Sequence, residues 1–325
     1  MKEVSSVSLR GHIRLLRIHQ WYKNFLVYLA IVFVEVPKEW PWPTMPAVFV
    51  WTNYIPLTLG FIVFCAVSSS NYIVNDIKDR AEDAAHPEKR GRPIPSGDVS
   101  VTSALLLSIV LLAGSLTTAY AMNPIFFILI ILYIVNSQAY NFLLRRYAVV
   151  DVITIAVGFI IRAIAGAILL GVPFTSWLVV GVFFVALVLG FGKRKNELLY
   201  LGDDAVHHKH VYAQYDEKIL DQCISLSAAW VVLFYALYTY ENFRDTMNTQ
   251  PVMMTVPIVA GIVLRYVYLL QSESPVGRKP HLAFRDKGIL VGSIVFGLAL
   301  VWTLFFWVPV FEFVRGLFPP LFIHL

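Results

Sequence analysis

Oxygen-bearing side chains recur every four residues in NDIKDRAED, residues 75–83. On an α-helix, Asn75, Asp79 and Asp83 point the same way, with Asp76 at the margin of that face. Carboxylates in such a row repel one another unless a cation lies among them. Mg²⁺ prefers a few carboxylate ligands together with the phosphate oxygens of a substrate. The spacing therefore predicts a magnesium-diphosphate site.

Basic side chains follow this row directly, in HPEKRGRP. Lys89, Arg90 and Arg92 offer a point charge and two guanidinium forks, which suit phosphate oxygens. A solvated loop would account for these cations, but it would not account for the four-residue spacing of the carboxylates. Acids for a metal and bases for an anion, side by side, favour a diphosphate ligand.

The elements that hold these residues are predicted from composition. The chain has 325 residues, of which 58% are hydrophobic and 14% charged. A soluble domain of this length needs more charge to cover its surface, whereas the long apolar runs here match the roughly 20 residues of a membrane crossing. We predict an all-α polytopic membrane protein. Its nine helices lie near residues 18–34, 55–77, 101–121, 125–144, 149–170, 177–192, 224–240, 252–270 and 289–310.

The basic residues predict the topology. Of 26 lysines and arginines, 21 fall in the N-terminal segment and in alternate connections, which the positive-inside rule assigns to the cytoplasm. We therefore expect a single membrane domain, residues 1–325, in the cell membrane with its N-terminus inside. Residues 1–17 are predicted to lie on the membrane surface, and residues 78–100 and 193–222 to form cytoplasmic catalytic loops.

NDIKDRAED matches the NxxxDxxxD signature of the UbiA-type intramembrane prenyltransferase superfamily. The chain most resembles its decaprenyl-phosphate phosphoribosyltransferase branch, in HQWYKN, YIVNDIKDRAEDAAHPEKRGRPI, IIRAIAGA, GKRKNEL and LRY. This resemblance implies a nine-helix bundle. It also implies Mg²⁺-dependent transfer of 5-phosphoribose from phosphoribosyl pyrophosphate to a polyprenyl phosphate, with release of pyrophosphate. No nucleic-acid partner is expected.

The resemblance also implies roles for individual residues. The implied metal ligands are Asn75, Asp76, Asp79 and Asp83. The predicted catalytic residues are Asp76, Asp79, Asp83 and Glu197, and the predicted substrate-binding residues are Lys23, Asn24, Lys89, Arg90, Arg92, Tyr140, Lys193 and Arg194.

The second acidic motif departs from the pattern of aromatic prenyltransferases. GKRKNELLYLGDD offers Glu197, and then Asp203 and Asp204, without a four-residue spacing. Lys193 and Arg194 add positive charge instead. This favours a donor with an additional phosphate over a prenyl diphosphate bound through a second magnesium ion.

Two other functions stay open. One is an aromatic or lipid prenyltransferase that uses a prenyl diphosphate. The other is a transporter, although intramembrane charges usually mark a transport path, and most charges here lie in predicted loops. Arg162 lies deep in the fifth predicted helix, where we expect a buried structural partner, and Arg265 is expected to extend toward the membrane surface.

Overall fold

All regular secondary structure in the described part of the computed structural model is helical. The structure describes residues 9–32, 49–85, 89–173, 176–202, 210–243, 250–272, 274–278 and 280–317. Among these residues, seven helices are long and apolar enough to cross a membrane. The predicted all-α polytopic fold is confirmed.

The described residues form twelve α-helices. In chain order they are α1 (Leu9–Leu15), α2 (Leu29–Val32), α3 (Tyr54–Lys78), α4 (Arg80–Ala85), α5 (Val101–Met122), α6 (Pro124–Phe142), α7 (Val150–Leu170), α8 (Ser176–Leu201), α9 (Glu217–Asn242), α10 (Val256–Gln271), α11 (Lys287–Val301) and α12 (Trp307–Leu317). A five-residue π-helical segment, Trp302–Phe306, joins the last two.

The first predicted span does not form a regular α-helix in its described part. A 3-10 run, Ile18–Tyr28, precedes the four residues of α2, and residues 33–48 lie outside the described ranges. Tertiary contact explains the difference, because a Cβ at Gly166 of α7 would lie 1.9 Å from the carbonyl oxygen of Val27. The backbone of the 3-10 run thus lies directly against α7.

The chain separates into two compact units. Of the described residues, the first unit holds 9–32, 49–85, 89–145 and 153–173, and the second holds 146–152, 176–202, 210–243, 250–272, 274–278 and 280–317. The core of the first unit contains Val27, Phe64 and Phe126. A smaller cluster in the second unit contains Leu269, Val276 and Ile289. The single-domain expectation stays a prediction.

The acidic motif lies where α3 meets α4. Asp79 caps the C-terminal end of α3 with φ −86° and ψ 7°, and α4 begins at the next residue. Backbone hydrogen bonds bridge the junction, from the Asp79 amide to the Asn75 carbonyl at 2.9 Å and from the Asp83 amide to the Asp79 carbonyl at 2.8 Å. The segment predicted as a loop from residue 78 thus starts as a helix. Likewise, α8 continues to Leu201, well into the predicted loop 193–222.

Candidate active site

Two buried carboxylates meet at one guanidinium beside the α3–α4 junction. Asp76 and Asp83 are each only 2% exposed. Arg92 Nη1 donates to Asp76 Oδ1 at 3.2 Å and to Asp83 Oδ2 at 2.5 Å. Buried charges of one sign require such a partner, so Arg92 is what lets these carboxylates lie close together.

Two further cations complete this cluster. Arg17 Nη2 lies 2.5 Å from Asp76 Oδ1, and Lys89 Nζ lies 3.7 Å from Asp83 Oδ1. Each buried carboxylate therefore has two cationic partners. Arg90 is exposed on the neighbouring turn.

Asp79 belongs to a different ion pair. Its carboxylate accepts from Arg145 Nη1 at 3.2 Å and from Arg145 Nη2 at 3.4 Å. Asp76, and not Asp79, therefore shares a cation with Asp83, although the four-residue spacing placed Asp76 only at the margin of that face. Helix geometry accounts for this, because residues seven apart, such as Asp76 and Asp83, point more nearly the same way than residues four apart, and the backbone hydrogen bonds keep helical spacing across the junction.

The oxygen ligands of this region fit Mg²⁺ in their chemistry. Within the described ranges, no three His, Cys, Asp or Glu side chains lie close enough together to hold a metal ion, because the carboxylates are held by basic side chains. Asn75 Oδ1, however, is buried and has no hydrogen-bond donor among the described residues. A carbonyl oxygen without a donor, next to carboxylates, belongs to the hard oxygen set that Mg²⁺ accepts.

A cavity of about 420 Å³ opens beside the cluster. Its lining includes Arg14, Arg17, His19, Gln20, Asp76 and Arg92. Arg17 has a left-handed backbone, with φ 49° and ψ 46°, and such strain in a non-glycine residue concentrates at functional sites. The sequence prediction placed residues 1–17, and with them Arg14 and Arg17, at the membrane surface and missed this role. The available signal was the position of Arg17, two residues before His19 of HQWYKN.

The other predicted substrate-binding residues of the first unit are more dispersed. Lys23 Nζ donates to Gln20 Oε1 at 3.4 Å, and Gln20 lines the cavity. Asn24 is buried and contacts Cys65, with its Nδ2 3.2 Å from Sγ. Tyr140 is half-buried on α6. Lys23 is thus connected to the cavity through its hydrogen-bond partner.

Arg162 has buried partners, as its depth led us to expect. It donates through Nε to Asn24 Oδ1, through Nη1 to the Gly158 carbonyl and through Nη2 to the Tyr133 hydroxyl, each at 2.7 Å. Its guanidinium also lies 4.5 Å from the centre of the Tyr133 ring. These contacts hold the 3-10 run against α6 and α7, and they engage the side chain of Asn24.

The second predicted motif forms a separate cluster in the second unit. Arg194 is buried, and it donates through Nε to Asp151 Oδ2 at 2.7 Å and through Nη1 to Glu197 Oε2 at 3.2 Å. The exposed Lys193 lies 3.7 Å from Glu197, and the Tyr212 hydroxyl donates to Glu197. The charge of Arg194 that we expected to serve a substrate phosphate is therefore shared between two acids of the protein.

Two remaining predictions concern the same unit. Asp203 and Asp204 lie outside the described residues. Arg265 forms a bidentate pair with Asp286, at 3.0 Å and 2.8 Å, and Asp286 also accepts from the Ile289 amide at the start of α11.

The sequence signature of the UbiA prenyltransferase family matches residues 41–287. The chain belongs to this family. A decaprenyl-phosphate phosphoribosyltransferase of Mycolicibacterium smegmatis is 32% identical over 285 residues, covering 85% of this chain and 87% of the relative. A protein of the same description from Mycobacterium tuberculosis is 29% identical, covering 90% and 91%.

A solved structure agrees with the fold. A UbiA homologue from Archaeoglobus fulgidus, bound to GPP and Mg²⁺, superposes with a TM-score of 0.64 at 20% identity, covering 90% of this chain and 98% of the other. The protein is thus a UbiA-family transferase and a multi-pass integral membrane protein.

Proposed function

We propose that this UbiA-family transferase moves 5-phosphoribose from phosphoribosyl pyrophosphate to a polyprenyl phosphate and releases pyrophosphate. The observation that carries the proposal is the pair of buried carboxylates, Asp76 and Asp83, joined by Arg92 beside an arginine-lined cavity. It is supported by relatives that align with 85–90% of the chain and are described as decaprenyl-phosphate phosphoribosyltransferases.

The charge of the region suits a donor with several phosphates. Four cations face three carboxylates there, in pairs that join Arg17, Lys89, Arg92 and Arg145 to Asp76, Asp79 and Asp83. The cavity adds Arg14. We propose that the 5-phosphate of the donor binds at the cavity, and that Lys193 and Arg194 are not needed for it.

The reaction breaks one bond and forms another at the anomeric carbon. An oxygen of the polyprenyl phosphate bonds to C1 as the bond from C1 to the diphosphate oxygen breaks, and the bonding electrons leave with pyrophosphate. Arg17, Arg92 and Lys89 would stabilise the negative charge that grows on the leaving group, which is commonly the largest catalytic contribution. The acceptor is already an anion, so no general base is required.

Mg²⁺ would be held by Asn75, Asp76, Asp79 and Asp83 in this proposal, and it would supply further positive charge at the leaving diphosphate. Binding requires the arginines to release the carboxylates, and the same arginines are then available to phosphate oxygens. We further propose that the site and the N-terminus face the cytoplasm, as the distribution of 21 of the 26 basic residues indicates.

A prenyl diphosphate donor is the second candidate, because the Archaeoglobus fulgidus homologue is described as bound to GPP. Against it stands the second motif, in which Glu197 is engaged by Arg194, Lys193 and Tyr212.

Mass spectrometry of lipid products distinguishes the two candidates. Purified protein is incubated with a polyprenyl phosphate and either phosphoribosyl pyrophosphate or a prenyl diphosphate, with Mg²⁺ or with a chelator. We expect a phosphoribosylated lipid from the first donor only, and none after chelation. A product from the prenyl donor alone would contradict the proposal.

A further inference from the structure

Polar side chains pair along the contact between α3 and α6. The Ser68 hydroxyl lies 3.1 Å from the Tyr133 hydroxyl, and Gln138 Nε2 donates to Asn71 Oδ1 at 2.8 Å. Beyond the end of α6, Arg145 binds Asp79. The order of these pairs shows that the two helices run in the same direction, with polar groups leading from the interior of the first unit to the acidic motif.

Three buried atoms in this row lack a partner among the described residues. They are Asn71 Nδ2, Asn75 Oδ1 and Gln138 Oε1. Asn71 is only 5% exposed. A buried polar atom without a hydrogen bond destabilises a folded protein, so three of them on one pair of helices mark a place where a ligand group or a buried water molecule binds.

The chemistry of these atoms identifies the kind of ligand. Asn71 Nδ2 is a donor and Gln138 Oε1 is an acceptor, and the side chains that carry them are already joined by one hydrogen bond. A hydroxyl group can both accept from the amide nitrogen and donate to the amide oxygen. A prenyl chain can do neither.

Position links the pair to the acidic motif. Asn71 and Asn75 lie four residues apart on α3, and Asp79 follows at the same spacing just past its end, with its amide bonded to the Asn75 carbonyl at 2.9 Å, which places all three on one face. Asn71 and Gln138 therefore lie along that face from the carboxylate that we assign to the diphosphate end of the donor. The sugar is the part of phosphoribosyl pyrophosphate that carries hydroxyl groups next to the diphosphate.

We propose that Asn71 and Gln138 form a hydroxyl-binding subsite that recognises the sugar of the donor and rejects prenyl donors. This inference rests on the proposed function and adds the residues that set its donor specificity. A site built to hydrogen-bond a hydroxyl discriminates strongly against a ligand that lacks one, because its own polar groups then stay buried and unpaired.

Binding measurements on the full chain test the subsite. In the double variant Asn71→Leu with Gln138→Met, we expect the affinity for phosphoribosyl pyrophosphate to fall by about tenfold to a hundredfold. The affinity for magnesium pyrophosphate, which has no hydroxyl groups, should not change. Without a donor, the unfolding temperature should stay the same or rise, because the unpaired atoms are gone.

A matched control uses a satisfied polar pair on another face of α3. The hydroxyls of Ser70 and Ser108 are 2.8 Å apart, and both also bind backbone carbonyls. Ser108→Ala should lower the unfolding temperature without changing the affinity for either ligand. The opposite pattern is expected for the double variant.

A second measurement needs no variant. Analogues of phosphoribosyl pyrophosphate that lack the 2- or the 3-hydroxyl should include at least one that binds the wild-type protein about tenfold more weakly. If neither analogue binds more weakly, or if the double variant loses affinity for pyrophosphate as strongly as for the complete donor, the subsite is wrong while the proposed function stands. If the wild-type protein neither binds nor uses phosphoribosyl pyrophosphate, the proposed function fails and the subsite fails with it.

Discussion

This protein has two clusters of buried ion pairs, one built on two carboxylates and the other on an arginine. They differ in their charge balance and in whether they contain a polar atom without a hydrogen-bond partner. In the first unit, Asp76 and Asp83 share Arg92. In the second unit, Arg194 is shared by Asp151 and Glu197. Both clusters arise from stretches that mix acids and bases, and both were predicted to belong to the site.

We call the second cluster closed, because its acids and bases pair with one another and with tyrosine hydroxyls. The Tyr215 hydroxyl donates to Asp151 Oδ1 at 2.7 Å and accepts from the Val149 amide, while Tyr212 donates to Glu197. The pKa of Tyr212 is raised above its ordinary value of 10, first by burial and second by the nearby Glu197 carboxylate. The hydroxyl therefore stays protonated and keeps donating. Two acids balance Arg194 and Lys193, which is the pattern of a structural ion-pair network.

We call the first cluster open, because it offers positive charge and an unpaired oxygen to a ligand. Its cations outnumber its carboxylates, it borders a cavity of about 420 Å³, and Asn75 Oδ1 lacks a donor among the described residues. An excess of positive charge and an unpaired oxygen are what a phosphate ligand and its metal ion would satisfy. The two clusters thus differ in charge balance and in unpaired polar atoms. These two properties distinguish a ligand site from a structural ion-pair cluster, whereas residue type and spacing alone do not.

The largest expected effect is on catalysis at the open cluster. Asp83→Asn removes a negative charge at the position that we assign to the metal and the donor, and we expect the rate of lipid product formation to fall about a thousandfold. Glu82→Gln is the matched control, because Glu82 is exposed on the same helix and should keep wild-type activity. An active Asp83→Asn protein would remove the distinction between the two clusters.

At the closed cluster, the expected effect is on stability. Arg194→Met leaves Asp151 buried without its cation, which costs about 3–5 kcal/mol of unfolding free energy. Lys193→Gln, on the same helix but at an exposed pair, should cost less than about 1 kcal/mol. Chemical unfolding in detergent micelles measures both. If Arg194→Met keeps its stability and instead raises the KM for phosphoribosyl pyrophosphate, the second cluster is a substrate site after all.

The fold was largely predictable from the sequence because the bilayer sets the length of apolar runs. The third predicted span, residues 101–121, differs from α5 (Val101–Met122) by one residue. The first span was not predictable in the same way. Its 3-10 geometry depends on contact with Gly166, which lies more than a hundred residues away in the sequence.

The acidic residues of the candidate site could be predicted from the sequence, but the ion pairs that they form could not. The four-residue spacing identified Asn75, Asp79 and Asp83, with Asp76 at the margin of their face, yet the ion pairs depend on Arg92 and Arg145, which lie outside NDIKDRAED. Arg17 binds Asp76 across 59 positions of sequence. Such long-range pairs leave no trace in local periodicity.

Arg162 forms a third cluster, in which it donates to an amide oxygen, a backbone carbonyl and a hydroxyl. A variant here tests whether such an arginine has a structural role. Tyr133→Phe removes the hydroxyl that accepts from Arg162 and bonds with Ser68. We expect a loss of about 1–3 kcal/mol in unfolding free energy, because a buried guanidinium N–H loses its acceptor. The affinity for magnesium pyrophosphate should not change. A selective loss of that affinity would extend the open cluster to Arg162.

The smallest effect is expected for the Arg265–Asp286 pair of the second unit, in which the arginine is exposed to solvent. Hydrogen bonds from Arg265, and then from the Ile289 amide, lower the pKa of Asp286 from 3.8 to about 2. A carboxylate with a lowered pKa contributes stability that is complete above about pH 4 and is lost as the pH falls toward 2. Unfolding temperatures of the wild-type protein should therefore decline in this window more steeply than those of Arg265→Gln, which lacks the pair. Because solvent screens exposed charges, the difference should be small and should shrink at high salt. Equal slopes for the two proteins would show that the exposed pair contributes nothing to stability. The stability of the Arg194 cluster would then depend on the burial of its ion pairs and not on pairing alone.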